Sequence, residues 1–201
     1  MENALIERVK SQARGLKTLS DELQVQMALG KAEARDLIKK EKKTLTKFIN
    51  EQKKKIEKSQ NITEDNRRIF LTCMEDLEGV LFADVPTQVA DYDQYKNDLL
   101  SKVYKLEEEV RKNYPSMTID IQDELDVFKA KMDAFRVNIA LHDKDDPEKV
   151  EKIRSEFTEK LTDIRSMLSN REKAQSKLDN FVEDISESFN YLKRAIADLS
   201  N

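Results

Sequence analysis

The sequence predicts an all-α fold, an elongated antiparallel helical bundle with coiled-coil packing. Three observations carry this. The 201 residues include only three Gly, three Pro and no Trp, so few residues interrupt helices. Charged residues make up 38% of the chain, with both signs interspersed, which suits solvated helix faces better than a disordered chain. Apolar residues recur at alternating three- and four-residue steps, the period of a narrow stripe on one side of a helix. Hydrophobic content is only 38%, so a thin bundle in which each helix buries one stripe is expected rather than a thick core. The whole of 1–201 reads as one elongated helical domain.

The first helix is expected over roughly 2–58. Its seam is Val9, Ala13, Leu16, Ser20, Leu23, Met27, Gly30, Ala34 and Leu37, with Ala13, Gly30 and Ala34 small enough to admit a close neighbour. The stripe then shifts by one residue to Ile38, Leu45, Ile49 and Ile56. A turn at Ser59–Thr63 follows, with Thr63 as the cap of a second helix over roughly 63–113. Pro86 splits or kinks that helix. Asn113-Tyr114-Pro115-Ser116 reads as a turn, because the residue before proline avoids helical geometry. A third helix covers roughly 118–142. Asp146-Pro147-Glu148 places proline at a first helical position and an acid in the first turn, opening a fourth helix over roughly 147–199. Its seam is Val150, Ile153, Phe157, Leu161, Ile164 and Leu168, then Leu178, Val182, Ile185, Phe189, Leu192, Ile196 and Leu199. Arg171 and Gln175 stand at seam positions between the two runs, either as a polar layer in a continuous helix or as a break; continuity is the expectation.

Segments 21–29 and 133–141 align at an offset of 112, and 74–77 aligns with 182–185 at 108. A duplicated unit of about 1–112 and 113–201 would explain both, as would the few residue types that amphipathic helices share. The stretch Asp21-Glu-Leu-Gln-Val-Gln-Met-Ala-Leu29, continued as Gly30-Lys-Ala-Glu-Ala-Arg-Asp36, resembles a helical segment of uncharacterised bacterial coiled-coil proteins. The resemblance covers 16 of 201 residues. It implies a bacterial, helical, non-enzymatic protein and offers no site residues to carry over.

Charge is uneven. Residues 1–58 hold 15 Lys+Arg against 9 Asp+Glu, while the chain as a whole is −4. A basic first arm can pair with acidic later arms, within a chain or between chains. The acidic total argues against nucleic acid as the default partner. The single cysteine, Cys73, cannot form a disulfide within the chain and reads as a small core residue. The charged start is unlike a signal peptide and no stretch approaches the roughly 18 apolar residues of a membrane span, so a soluble, cytoplasmic protein is expected.

Candidate chemistry is sparse. His142 with Asp143, Asp145 and Asp146 could face a divalent cation, but the loop lacks EF-hand spacing, and a solvated turn with a helix cap accounts for it. A di-iron bundle needs two Glu-x-x-His motifs, which one histidine cannot supply. No Gly-rich phosphate loop is present. No enzyme activity, metal or cofactor is expected. The most suggestive patch is the lysine run Lys39, Lys40, Lys42, Lys43, Lys53, Lys54 and Lys55. Residues 39–58 hold nine Lys and three Glu. The plain reading is a solvated face opposite Glu107-Glu-Glu109 or the last helix. A membrane surface is the alternative, without the aromatic anchors of interfacial helices. A scaffold or adaptor that binds a helical protein or a second copy, as a homodimer, is the leading expectation; a peripheral membrane module is the second.

The last seam yields a stability prediction. Phe189→Ala should cost about 3–5 kcal/mol if the stripe is buried, whereas Lys193→Ala should stay within about 0.5 kcal/mol. Thermal unfolding of both variants beside the parent checks this, and three equal melting temperatures would refute the core assignment.

Overall fold

The computed structural model describes residues 2–59, 62–143, 147–172 and 178–198, with side chains for all of these except 2–12, 116, 149, 167–172, 178–183, 189, 197 and 198. Among the described residues there are seven α-helices, one 3-10 turn and no strand. The helices are α1 (Glu2–Ala28), α2 (Lys31–Lys58), α3 (Glu64–Phe82), α4 (Val89–Asn113), α5 (Thr118–His142), α6 (Pro147–Glu172) and α7 (Leu178–Asp198), with a 3-10 turn at Pro115–Met117 between α4 and α5. None is long and apolar enough to cross a membrane. The chain forms two compact units, one from residues 1–34 and 133–201, the other from 35–132.

The expected first helix is two helices. The break falls at Leu29-Gly30, and its cause is local. The Glu33 carboxylate accepts the Gly30 N–H at 3.1 Å, the back half of a capping box, while Ala34 N–H begins the α2 ladder on the Gly30 carbonyl at 3.0 Å. Gly30 is therefore an exposed helix start and not a seam position. The second expected helix is also divided. α3 ends at Phe82, and Ala83–Gln88 carries Pro86 before α4 begins. The Thr63 cap forms as expected, its hydroxyl accepting Asn66 N–H at 3.3 Å. α5 has the expected limits. Residues 173–177, where continuity of the last helix was expected, lie outside the described residues, as do the side chains of Phe189, Val182 and Leu168.

In the unit of residues 35–132, α2 buries Ile38, Lys42, Leu45, Ile49, Gln52 and Ile56, an unbroken four-three alternation. α3 packs against α4, burying Phe70, Met74, Leu77 and Leu81 on one side and Tyr92, Leu99, Val103, Leu106 and Val110 on the other. Phe70 packs against Tyr114 in a tilted pair, with ring centroids 4.9 Å apart and planes inclined by 57°. Cross-helix polar contacts fix the neighbours: Lys53 to Glu78 at 2.7 Å, Lys131 to Glu41 at 2.7 Å, and Tyr92 Oη donating to the Met132 carbonyl at 2.8 Å. Glu107 receives Gln122 at 2.9 Å and Lys129 at 2.7 Å. Burial alone would lower the Lys129 pKa, but hydrogen bonds to Asp126 and Glu107 outweigh it and hold it above the ordinary lysine value.

In the unit of residues 1–34 and 133–201, α1 packs against α6 and α7. Its stripe is Leu16, Leu19, Leu23 and Met27, with Ser20 and Gln26 also buried. All eight residues from Ala134 to Leu141 are buried, so this end of α5 is enclosed on every side. It includes two polar groups. Asn138, 1% exposed, donates through Nδ2 to the carbonyls of Gln26 at 2.7 Å and Leu29 at 3.0 Å. Arg136, 4% exposed, donates to the Ile196 carbonyl. All three acceptors are at or just beyond helix C-termini, where carbonyls lack intrahelical donors. The Asn138–Gln26 contact joins the positions that the 112-residue alignment pairs. Phe157, Leu161 and Ile164 of α6 and Ile185, Leu192 and Ile196 of α7 are buried, as their spacing predicts.

Asn138 supplies a direct test. Removing it leaves a buried carbonyl and a half-buried one short of a donor, so Asn138→Ala should cost about 1–3 kcal/mol. Asn138→Asp should cost more, since a carboxylate would face those oxygens. Urea denaturation of the three proteins measures the order, and a variant as stable as the parent would overturn the capping role.

Candidate functional site: the lysine face of α2

α2 is amphipathic with apolar residues on one side, and its phase separates the lysines of the run. At about 100° per residue, the buried seam from Ile38 to Ile56 occupies one side of the helix. Lys40, Lys43, Lys47, Lys54 and Lys58 fall within an arc of about 60° on the opposite side. All five are exposed. Their row is about 27 Å long at 1.5 Å per residue. Between Lys40 and Lys58 no acid falls within this arc; Glu51 lies about 20° beyond its edge. Lys55 and Lys58 also lie in the last turn of α2, where positive charge complements the helix dipole.

The seven lysines singled out from sequence are thus placed differently. Lys40, Lys43 and Lys54 belong to the exposed row. Lys39 and Lys55 are exposed on its flanks, Lys39 lying 3.9 Å from Asp36. Lys53 is turned toward α3 and paired with Glu78. Lys42 is on the buried seam, 8% exposed. Its ammonium donates to the Ala83 carbonyl just beyond α3 and lies 5.4 Å from the centre of the Tyr95 ring. Burial lowers its pKa, with Asp84 opposing and Lys39 adding to the shift. Lys47 and Lys58 belong to the row but not to the lysine set chosen from the sequence; helical phase, rather than lysine density, is the signal that places them.

The other candidates have local explanations. His142 Nδ1 lies 2.8 Å from the Asn138 carbonyl, and Asp143 pairs with Lys31 at 3.2 Å; Asp145 and Asp146 lie outside the described residues. Cys73 is half-buried rather than fully interior. Burial, with Glu109 and Asp76 nearby, raises its pKa and keeps it a thiol. Tyr95 is pushed up to about 12 by burial, and its hydroxyl has no hydrogen-bond partner among the described residues. α6 and α7 border an open cleft of about 640 Å³ lined by Lys160, Glu187, Tyr191 and Arg194 among others. The Lys160 ammonium lies 5.1 Å from the Tyr191 ring centre. Among the described residues, no group of three or more His, Cys, Asp or Glu is arranged to hold a metal ion.

The division of the lysines predicts opposite responses. Lys42→Met keeps the apolar stem and removes a desolvated charge, so it should change stability by less than about 1.5 kcal/mol. Lys42→Glu puts an acid against the Ala83 carbonyl and should cost more than about 3 kcal/mol. Lys43→Glu, one residue along and exposed, should stay within about 0.5 kcal/mol. Thermal melts of the three variants distinguish the seam from the row, and equal losses at positions 42 and 43 would refute the separation.

No family model, curated protein or solved structure matches this chain.

Proposed function

We propose that this chain is a non-catalytic scaffold or adaptor, built as antiparallel helices with coiled-coil packing, that offers rigid helix faces to a protein partner or to a second copy of itself. The observation that carries the reading is the use of interior donors to fix helix ends. Asn138 holds the end of α1, Arg136 the end of α7, and Lys42 the carbonyl that follows α3. Such contacts resist fraying and keep the outer faces in register. Antiparallel order is supported by the pairs of Lys42 with Ala83 and Lys53 with Glu78, since advancing along α2 meets earlier positions near α3. Tyr92 with Met132 and Glu107 with Gln122 support the same order for α4 and α5. The four-three spacing of the α2 seam supports coiled-coil packing.

Affinity capture from native extract, with light scattering of the pure protein, tests this. The wild-type bait should retain discrete proteins near stoichiometry, or the protein should self-associate. Asn138→Asp, checked by circular dichroism for retained helix, should weaken either interaction at least fivefold. A monomer that retains nothing would sink the reading.

A further inference from the structure

The exposed row on α2 has a chemistry of its own. Among the described residues, none of the ammonium groups of Lys40, Lys43, Lys47, Lys54 and Lys58 has a hydrogen-bond or ion-pair partner. The arc that holds them contains no apolar side chain. A stable protein interface needs a desolvated centre with apolar or aromatic anchors, and this row offers none. It suits a partner that binds through dense negative charge alone.

We propose that this face of α2 adsorbs to an anionic lipid surface. The proposal rests on the reading of the chain as a non-catalytic interaction module and names one surface that it engages. Geometry favours a bilayer over a nucleic acid. A straight helix meets a plane along its whole length, and an arc of about 60° lets all five long side chains reach that plane together. The phosphates of a duplex wind around a cylinder, so a straight row follows one strand only briefly. The row also lacks Arg and aromatic residues that read or stack on bases. Without Trp or Phe on the row, adsorption is electrostatic and reversible, with no insertion. Each lysine beside an anionic leaflet contributes a factor of about five in binding. Attraction of this kind is screened at high ionic strength. Lys42 and Lys53 take no part, being held inside their unit.

Cosedimentation with large vesicles tests the proposal. The full chain should pellet with phosphatidylcholine vesicles containing about 30% phosphatidylserine at about 50 mM salt. It should stay in solution with pure phosphatidylcholine, or when salt is raised to about 500 mM. A triple variant, Lys40→Glu with Lys47→Glu and Lys54→Glu, should lose pelleting at least fiftyfold while keeping the parent's circular dichroism and melting temperature. Lys17→Glu with Lys105→Glu, exposed lysines on other helices, should pellet within about twofold of the parent. Failure of the wild-type protein to pellet would overturn the proposal, as would pelleting unchanged by the triple variant. So would tighter, row-dependent binding to a short DNA duplex, which would reassign the face to nucleic acid. Partner capture that persists while pelleting fails would leave the scaffold reading standing and remove this one alone.

Discussion

Carbonyls at the end of a helix need donors, and the rest of this structure depends on where those donors come from. α2, α4 and α5 supply basic residues in their own last turns, Lys55 and Lys58, Arg111 and Lys112, and His142. α1, α3 and α7 have none there. Terminal or adjoining carbonyls of these three receive Asn138, Lys42 and Arg136 from elsewhere, and α2 adds to its own lysines a donor from α3, Arg67 on the Ser59 carbonyl. Asn138, Lys42 and Arg136 are buried residues of other helices. For Asn138 with Gln26 and Arg136 with Ile196 the contact itself is buried, so moving either would leave an amide or a charge and a carbonyl without partners in the interior. Helix ends are thereby tied to tertiary packing, and local fraying and global loosening become the same event.

This arrangement explains which parts of the fold were legible. The all-α class, the limits of α5, the Thr63 cap and the buried positions of α6 and α7 follow from period and punctuation, which are local properties. Gly30-x-x-Glu33 was equally local, but an apolar phase running from Met27 to Ala34 hides it. The break costs the chain no core position, because Ala34 resumes burial four residues later. Lys42 and Asn138 were not legible. A lysine within a lysine run and an asparagine within an apolar run take their roles from carbonyls 41 and more than 100 residues away, which no window along the chain contains.

The candidate site was legible only in outline. Lysine density located it on α2, while phase decides its membership. The helix uses one chemical type for two purposes: Lys42 and Lys53 are drawn inward by a carbonyl and a carboxylate, and the row a half-turn away keeps its charges in water. The long apolar stem of lysine makes both possible, since it can line a seam or carry a charge outward.

The order of the two units along the chain has a consequence for synthesis. Residues 35–132 are contiguous and can close as soon as they leave the ribosome, while α1 belongs to a unit whose remaining members begin at residue 133. At roughly 5–20 residues per second, the Leu16, Leu19, Leu23 and Met27 stripe waits some seconds for α6 and α7. In that interval it is a free apolar helix face on a nascent chain, the state in which a holdase would meet it. The amide that caps α1 arrives earlier, with Asn138, so the end of the first helix can be closed by the fifth before its apolar face is covered by the sixth and seventh.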